Sequence, residues 1–185
     1  MSRNYDWSIR FAAMAGVAIV ALALMAYGGS HRPRVGDKID LPALKLLDGQ
    51  RLPAGYFRGR AVVVEYWASW CSYCRQQDPY LESLALNTGG KGLDILAVSV
   101  DSSASAAKAY IQKHQYTFSA VMQNGALRRL FGDPHVIPEL FVITGDGRIA
   151  EIIRGQTSGT NILGLARYAR ADDGGDHTLQ AYRSY

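Results

Sequence analysis

Cysteine is scarce in this chain. Its 185 residues hold two, Cys71 and Cys74, separated by Ser72 and Tyr73. A structural zinc site wants four Cys or His ligands. The four histidines, His31, His114, His135 and His177, offer no His-x-x-x-His spacing, so no metal is expected. A disulfide acting only as a staple would close a tiny loop, and loop-closure gain grows with loop length. Charge is thin as well. Charged residues make up 19% of the chain and the net charge is +4. The longest basic clusters, Arg128-Arg129 and Arg32-Pro33-Arg34, form no stripe, so no nucleic-acid partner is expected. The chain shows no internal repeat.

Charge is missing altogether from Phe11 to Ser30, FAAMAGVAIVALALMAYGGS. At ~1.5 Å per residue such a helix covers ~30 Å, the hydrocarbon thickness of a bilayer. Trp7 and Tyr27 stand near its ends, where amphipathic rings favour the interface. Residues 1–30 therefore read as a short cytoplasmic tail and a single-pass transmembrane signal-anchor. The alternative is a cleaved signal peptide, cut after Ala21-Leu22-Ala23 or Ala26-Tyr27-Gly28. Arg32, Arg34 and Lys38 follow the run and blunt the positive-inside signal. The short tail still favours N-inside. That places the rest in the periplasm, outside the cytoplasm, where a Cys pair can persist as a disulfide.

Residues 31–36 read as a linker, 37–170 as the folded domain and 171–185 as a flexible tail. Within the domain, strands and helices alternate. Leu44 to Leu47 with the turn Asp48-Gly49 suggest a hairpin. AVVVEYW, 61 to 67, reads as a buried central strand. A helix is expected over 74–86, bent by Pro79. A strand over 93–100, a helix over 103–114, a strand over 118–122 and a short helix over 126–131 follow. Strands at 140–144 and 148–154 flank Gly145-Asp146-Gly147, and a last helix covers 160–170. Strands joined by helical crossovers imply an α/β sheet covered on both faces.

Cys71 then falls where the 61–67 strand gives way to a helix. A helix N-terminus offers unpaired N–H groups and a positive dipole end, which stabilise a thiolate. The thiolate is the nucleophile. Cys74, one turn further, can resolve the mixed disulfide, so the pair can move two electrons without a cofactor. Glu65 is the second feature. It interrupts an apolar strand and shares a face with Val63 and Trp67. Buried beneath Cys74 it could accept that thiol's proton. An edge or surface Glu in a salt bridge is the competing reading.

The stretch VEYWASWCSYCR, 64 to 75, resembles a thioredoxin-superfamily active site. Most similar is the membrane-anchored TlpA-like branch, with its DsbE-type cytochrome c biogenesis reductases. The resemblance spans 37–170, including the 41–52 hairpin, the helix with Pro79 and an insert over 102–123. It implies a thioredoxin-like fold, a mixed central sheet with helices on both faces. It implies a thiol–disulfide oxidoreductase that reduces protein disulfides, with Cys71 as nucleophile, Cys74 as resolving cysteine and Glu65 at the buried acid. Implied partners are proteins bearing thiols or disulfides and a membrane electron donor. The superfamily's cis-proline falls at Pro138, in Val136-Ile137-Pro138-Glu139, leaving the Ile137 backbone for a substrate strand. Without the resemblance, Pro138 reads as a trans proline at a strand start. Trp70 is expected to shield the disulfide and Tyr73 to contact the partner.

Two departures separate the chain from the cytochrome c branch. Gln77 stands where some members carry an acid three residues after the second Cys, and Glu65 where their strand often has Asn. A disulfide oxidase or isomerase is one alternative. A copper-binding module using Cys71, Cys74 and His135 is another, although copper-delivery relatives use Cys-x-x-x-Cys. A peroxidase would need Thr-x-x-Cys, and Ala68 occupies that place.

Overall fold

The computed structural model describes residues 32–170. The expected membrane segment and the C-terminal tail lie outside the described residues. Among the described residues no helix is long and apolar enough to cross a membrane. Strands β1 (Leu44–Lys45) and β2 (Arg51–Leu52) form the expected hairpin, with Leu44 opposite Leu52. Its turn is closed by Asp48 Oδ1, which accepts the Gln50 N–H at 2.8 Å. The remaining strands are β3 (Ala61–Trp67), β4 (Leu93–Ser99), β5 (Ser119–Met122), β6 (Glu139–Ile143) and β7 (Ile149–Arg154). They form one sheet in the order β5-β4-β3-β6-β7. The β3–β4 and β4–β5 pairs are parallel, while β3–β6 and β6–β7 are antiparallel, so the sheet is mixed.

Helices α1 (Ser72–Thr88), α2 (Ala104–His114), α3 (Gly125–Phe131) and α4 (Gly159–Gly164) complete the domain, with a 3-10 helix at Leu165–Arg170. The sequence suggested one helix over 160–170. Gly164, a poor helix former, sits where the α-helix gives way to the tighter turn. Asn124 caps α3, its Oδ1 accepting from the Ala126 and Leu127 N–H groups. That is the usual solution for an orphaned helix start. Residues 32–36, read as linker, run against the domain. The Gly36 N–H donates to the Ile149 carbonyl at 2.8 Å, and Arg32 bonds the Asp133 carbonyl.

Strand β3 is central, and all seven residues are buried because both faces are covered. Alternation sends Ala61, Val63 and Trp67 one way, against Leu81 and Leu84 of α1, Tyr110 of α2 and Ile162 of α4. Val62, Val64 and Tyr66 point the other way, against Leu44 and Leu52 of the hairpin, Phe131 of α3 and Phe141 of β6. Phe131 lies with its ring centroid 4.9 Å from Phe141 and 5.9 Å from Tyr66. Its ring is a large part of this second core. We expect Phe131→Ala to cost ~3–5 kcal/mol of stability. Urea denaturation measures it, and a loss under ~1 kcal/mol would mean this face collapses around the gap.

Candidate active site

The site begins at the C-terminal end of β3. The Ala68–Trp70 turn leads into Cys71, which is the N-cap of α1 with extended backbone (φ −76°, ψ 112°). Its Sγ accepts the Cys74 N–H at 3.1 Å. The sulfur thus occupies the place of a capping oxygen, where the orphaned N–H groups concentrate positive potential. No acidic residue stands in the first turn to oppose it. Cys71 and Cys74 are joined in a disulfide. Cys74 is fully buried, whereas Cys71 keeps 5% exposure. Of the two cysteines, only Cys71 keeps any exposure.

The turn before Cys71 is held by Asp101. Its carboxylate accepts from the Ser69 N–H (3.0 Å), Ser69 Oγ (2.7 Å) and Ser99 Oγ (2.8 Å). Facing the cysteines is the loop before β6. The Ile137–Pro138 bond is cis. The Ile137 carbonyl oxygen lies 3.8 Å from Cys71 Sγ. Ile137 makes no backbone–backbone hydrogen bond among the described residues. Trp70 (65% exposed), Tyr73 (58%) and Val136 (42%) present large apolar surface around this spot. Trp70 and Tyr73 both project to solvent, so Trp70 is as much a contact surface as a shield. His135 is exposed on the same loop. A cavity lined by Lys38, Arg58, Arg60 and Asp146 lies at the opposite end of β3, away from the cysteines.

Glu65 is fully buried in the central strand, which removes the edge-Glu reading. Gln77, one turn beyond Cys74, donates from Nε2 to Glu65 Oε1 at 2.9 Å. Its own Oε1 accepts the Thr157 N–H at 3.2 Å, which orients the amide. Burial holds the Glu65 carboxyl well above the usual carboxylate range, the charge of Asp78 pushes it the same way, and the Gln77 hydrogen bond opposes them. Asp78 itself is 1% exposed. Its Oδ2 accepts from the Tyr110 hydroxyl at 2.7 Å. Burial raises its pKa to about 7 against that hydrogen bond.

Asp78, Tyr110 and Asp101 escaped the sequence reading. Asp78 had a signal. It stands four residues after Cys74, and the buried residues Cys74, Gln77, Asp78, Leu81 and Leu84 trace one helical stripe. A carboxylate on that stripe faces the core. Tyr110 and Asp101 had none, because Asp78, which Tyr110 bonds, and Ser69, which Asp101 bonds, each lie 32 residues away.

The profile of the family described as Redoxin matches residues 34–166. A thiol-disulfide oxidoreductase ResA of Bacillus thuringiensis subsp. konkukian is 27% identical over 111 residues, 60% of this chain and 64% of that protein. The chain thus matches a little under two thirds of that relative's length. A ResA of Bacillus cereus is 26% identical over 140 residues, 75% of this chain and 80% of that protein. The crystal structure of a thiol:disulfide interchange protein, a thioredoxin-family protein from Chlorobium tepidum TLS, superposes with TM-score 0.64 at 22% identity. The match covers 76% of this chain and 98% of that one. That likeness establishes a thioredoxin-like fold.

Proposed function

The chain belongs to the Redoxin family, and from that premise we propose that it is a membrane-tethered, extracytoplasmic thiol–disulfide oxidoreductase that reduces protein disulfides. The observation that carries this reading is Cys71 Sγ at the N-cap of α1, 3.8 Å from the Ile137 carbonyl. The names of the ResA relatives support the reaction class. The uncharged run from Phe11 to Ser30 supports the tether.

In the reduced protein the N-cap position favours Cys71 as thiolate. It attacks one sulfur of a partner disulfide, and the other partner sulfur leaves with the electron pair. Cys74 then loses its proton to Glu65 and attacks Cys71 Sγ. The bond to the partner breaks, and the second partner thiolate leaves and takes a proton from water. The partner gains two electrons and Cys71–Cys74 becomes the disulfide. A membrane dithiol donor returns the two electrons. The partner segment lies along Ile137 and Pro138 as an added strand, with Trp70 and Tyr73 flanking it. No cofactor enters these steps.

The reduction potential of the full chain, equilibrated against glutathione and dithiothreitol buffers, tests the direction. We expect a value near about −270 mV, that of a reductant. A value near about −120 mV would assign the chain to disulfide oxidation and overturn the proposed direction.

A further inference from the structure

Two carboxyl groups are buried behind Cys74, and the mechanism above uses one. Asp78 follows Cys74 by four residues, so the two side chains emerge on the same face of α1. Glu65 reaches the same space from β3, tied to α1 through Gln77. Each acid has one oxygen bound and one without a hydrogen-bond partner among the described residues: Glu65 Oε2 and Asp78 Oδ1. Two buried carboxylates with unsatisfied oxygens cannot both stay charged without a large desolvation cost. One proton kept between them relieves it.

Building on the thiol-exchange reading, we propose that Asp78 is a positioning residue that, with Glu65, holds a single shared proton. The pair, and not Glu65 alone, thereby sets when Cys74 can be deprotonated. When Cys74 loses its proton the pair goes from one proton to two. The Cys74 thiolate forms the bond to Cys71, and the pair returns the extra proton to solvent after the disulfide closes.

The neighbours of Asp78 fit this role. From α2, Tyr110 donates its hydroxyl to Oδ2. From β3 comes Glu65, hydrogen-bonded to Gln77, the residue before Asp78 on α1. Strand β4 carries one titratable side chain, Asp94, which accepts from Arg60 at the far end of the sheet. The α4 segment and the 3-10 helix bring Arg167 and Tyr168, and both engage Glu151 on β7. On α1 itself, Glu82 turns outward to Thr117. Tyr116 lies beyond Tyr110, in ring contact with it. Tyr110, 8% exposed as a residue, stands between the pair and that outer layer.

Ellman's reagent tests this on the reduced full-length chain. Attack by Cys71 releases one thionitrobenzoate, and resolution by Cys74 releases the second. The rate of the second release is followed against pH. In the wild type it shows two titration steps. In Asp78→Asn it shows one, moved toward acid by about one pH unit, because Glu65 no longer faces a second negative charge. Tyr110→Phe removes a hydrogen bond that favours ionised Asp78, so both steps remain and the upper one moves to higher pH. A merely structural Asp78 would change rates at every pH and leave the number of steps alone. A folded Asp78→Asn with the wild-type profile overturns the proposal. Should that variant fail to fold, an unmoved upper step in Tyr110→Phe overturns it. A wild-type chain that releases no second equivalent overturns the thiol-exchange reading as well, a result distinct from either.

Discussion

Cys71→Ser is expected to abolish turnover of a disulfide substrate, and Cys74→Ser to accumulate a covalent complex with it. The asymmetry follows from position. Cys71 caps α1 and keeps a route to solvent, while Cys74 is sealed inside. Serine at 71 leaves a hydroxyl whose pKa no helix terminus brings near neutrality, so the first bond never forms. Serine at 74 leaves the first step intact and removes the second. Non-reducing gels and mass spectrometry of the two variants read the outcome. Cys74→Ser alone should show a band at the summed mass, lost on adding dithiothreitol. If Cys71→Ser traps the partner instead, the roles are reversed and Cys74 is reached through an opening the buried arrangement does not offer.

Glu65→Gln is expected to slow resolution by Cys74 ~100-fold and to leave the Cys71 attack unchanged, the size of effect expected for one lost general base. Stopped-flow release of thionitrobenzoate separates the two phases. Equal slowing of both would remove the special role of Glu65. The same substitution changes stability in a defined direction. In the folded protein burial, then Asp78, hold the Glu65 pKa well above its ordinary value. Between the unfolded and folded values the native state holds more protons than the unfolded state. Stability therefore falls as pH rises through that interval. Asp78, raised to about 7, adds a loss of the same sign that is complete only above neutrality. Glu65→Gln removes its share, so the variant outlasts the wild type at alkaline pH and its denaturation midpoint varies less with pH. Urea midpoints from about pH 5 to about pH 9 measure this. A variant less stable than wild type at alkaline pH would mean that Gln77 holds the charged carboxylate better than burial opposes it.

AVVVEYW announced a buried strand by composition, and the same composition made Glu65 conspicuous. The expected β-α-β-α-β-α-β-β-α order matches the observed elements within a few residues at their ends. The order was legible because apolar periodicity and Gly-rich turns are local. The pairing of Cys71 with Cys74 was legible for the same reason: four adjacent residues carry it. Pro138 and Ile137 were visible only through resemblance, since nothing local to Val136-Ile137-Pro138 says that the Ile137 carbonyl approaches a sulfur 66 residues away.

What the sequence by itself determined, then, is the order of elements and the identity of the reactive pair, because both depend on side chains a turn or less apart. Which strand neighbours β3 was left to the tertiary structure. The antiparallel β6 inserts beside β3, and that brings the Ile137–Pro138 loop to Cys71. Packing α1 across β3 put Gln77 against Glu65, and packing α2 on α1 put the Tyr110 hydroxyl on Asp78. These contacts join residues 12 and 32 positions apart. Their protonation depends on the exclusion of water, which no stretch of sequence achieves until the helices close over the sheet.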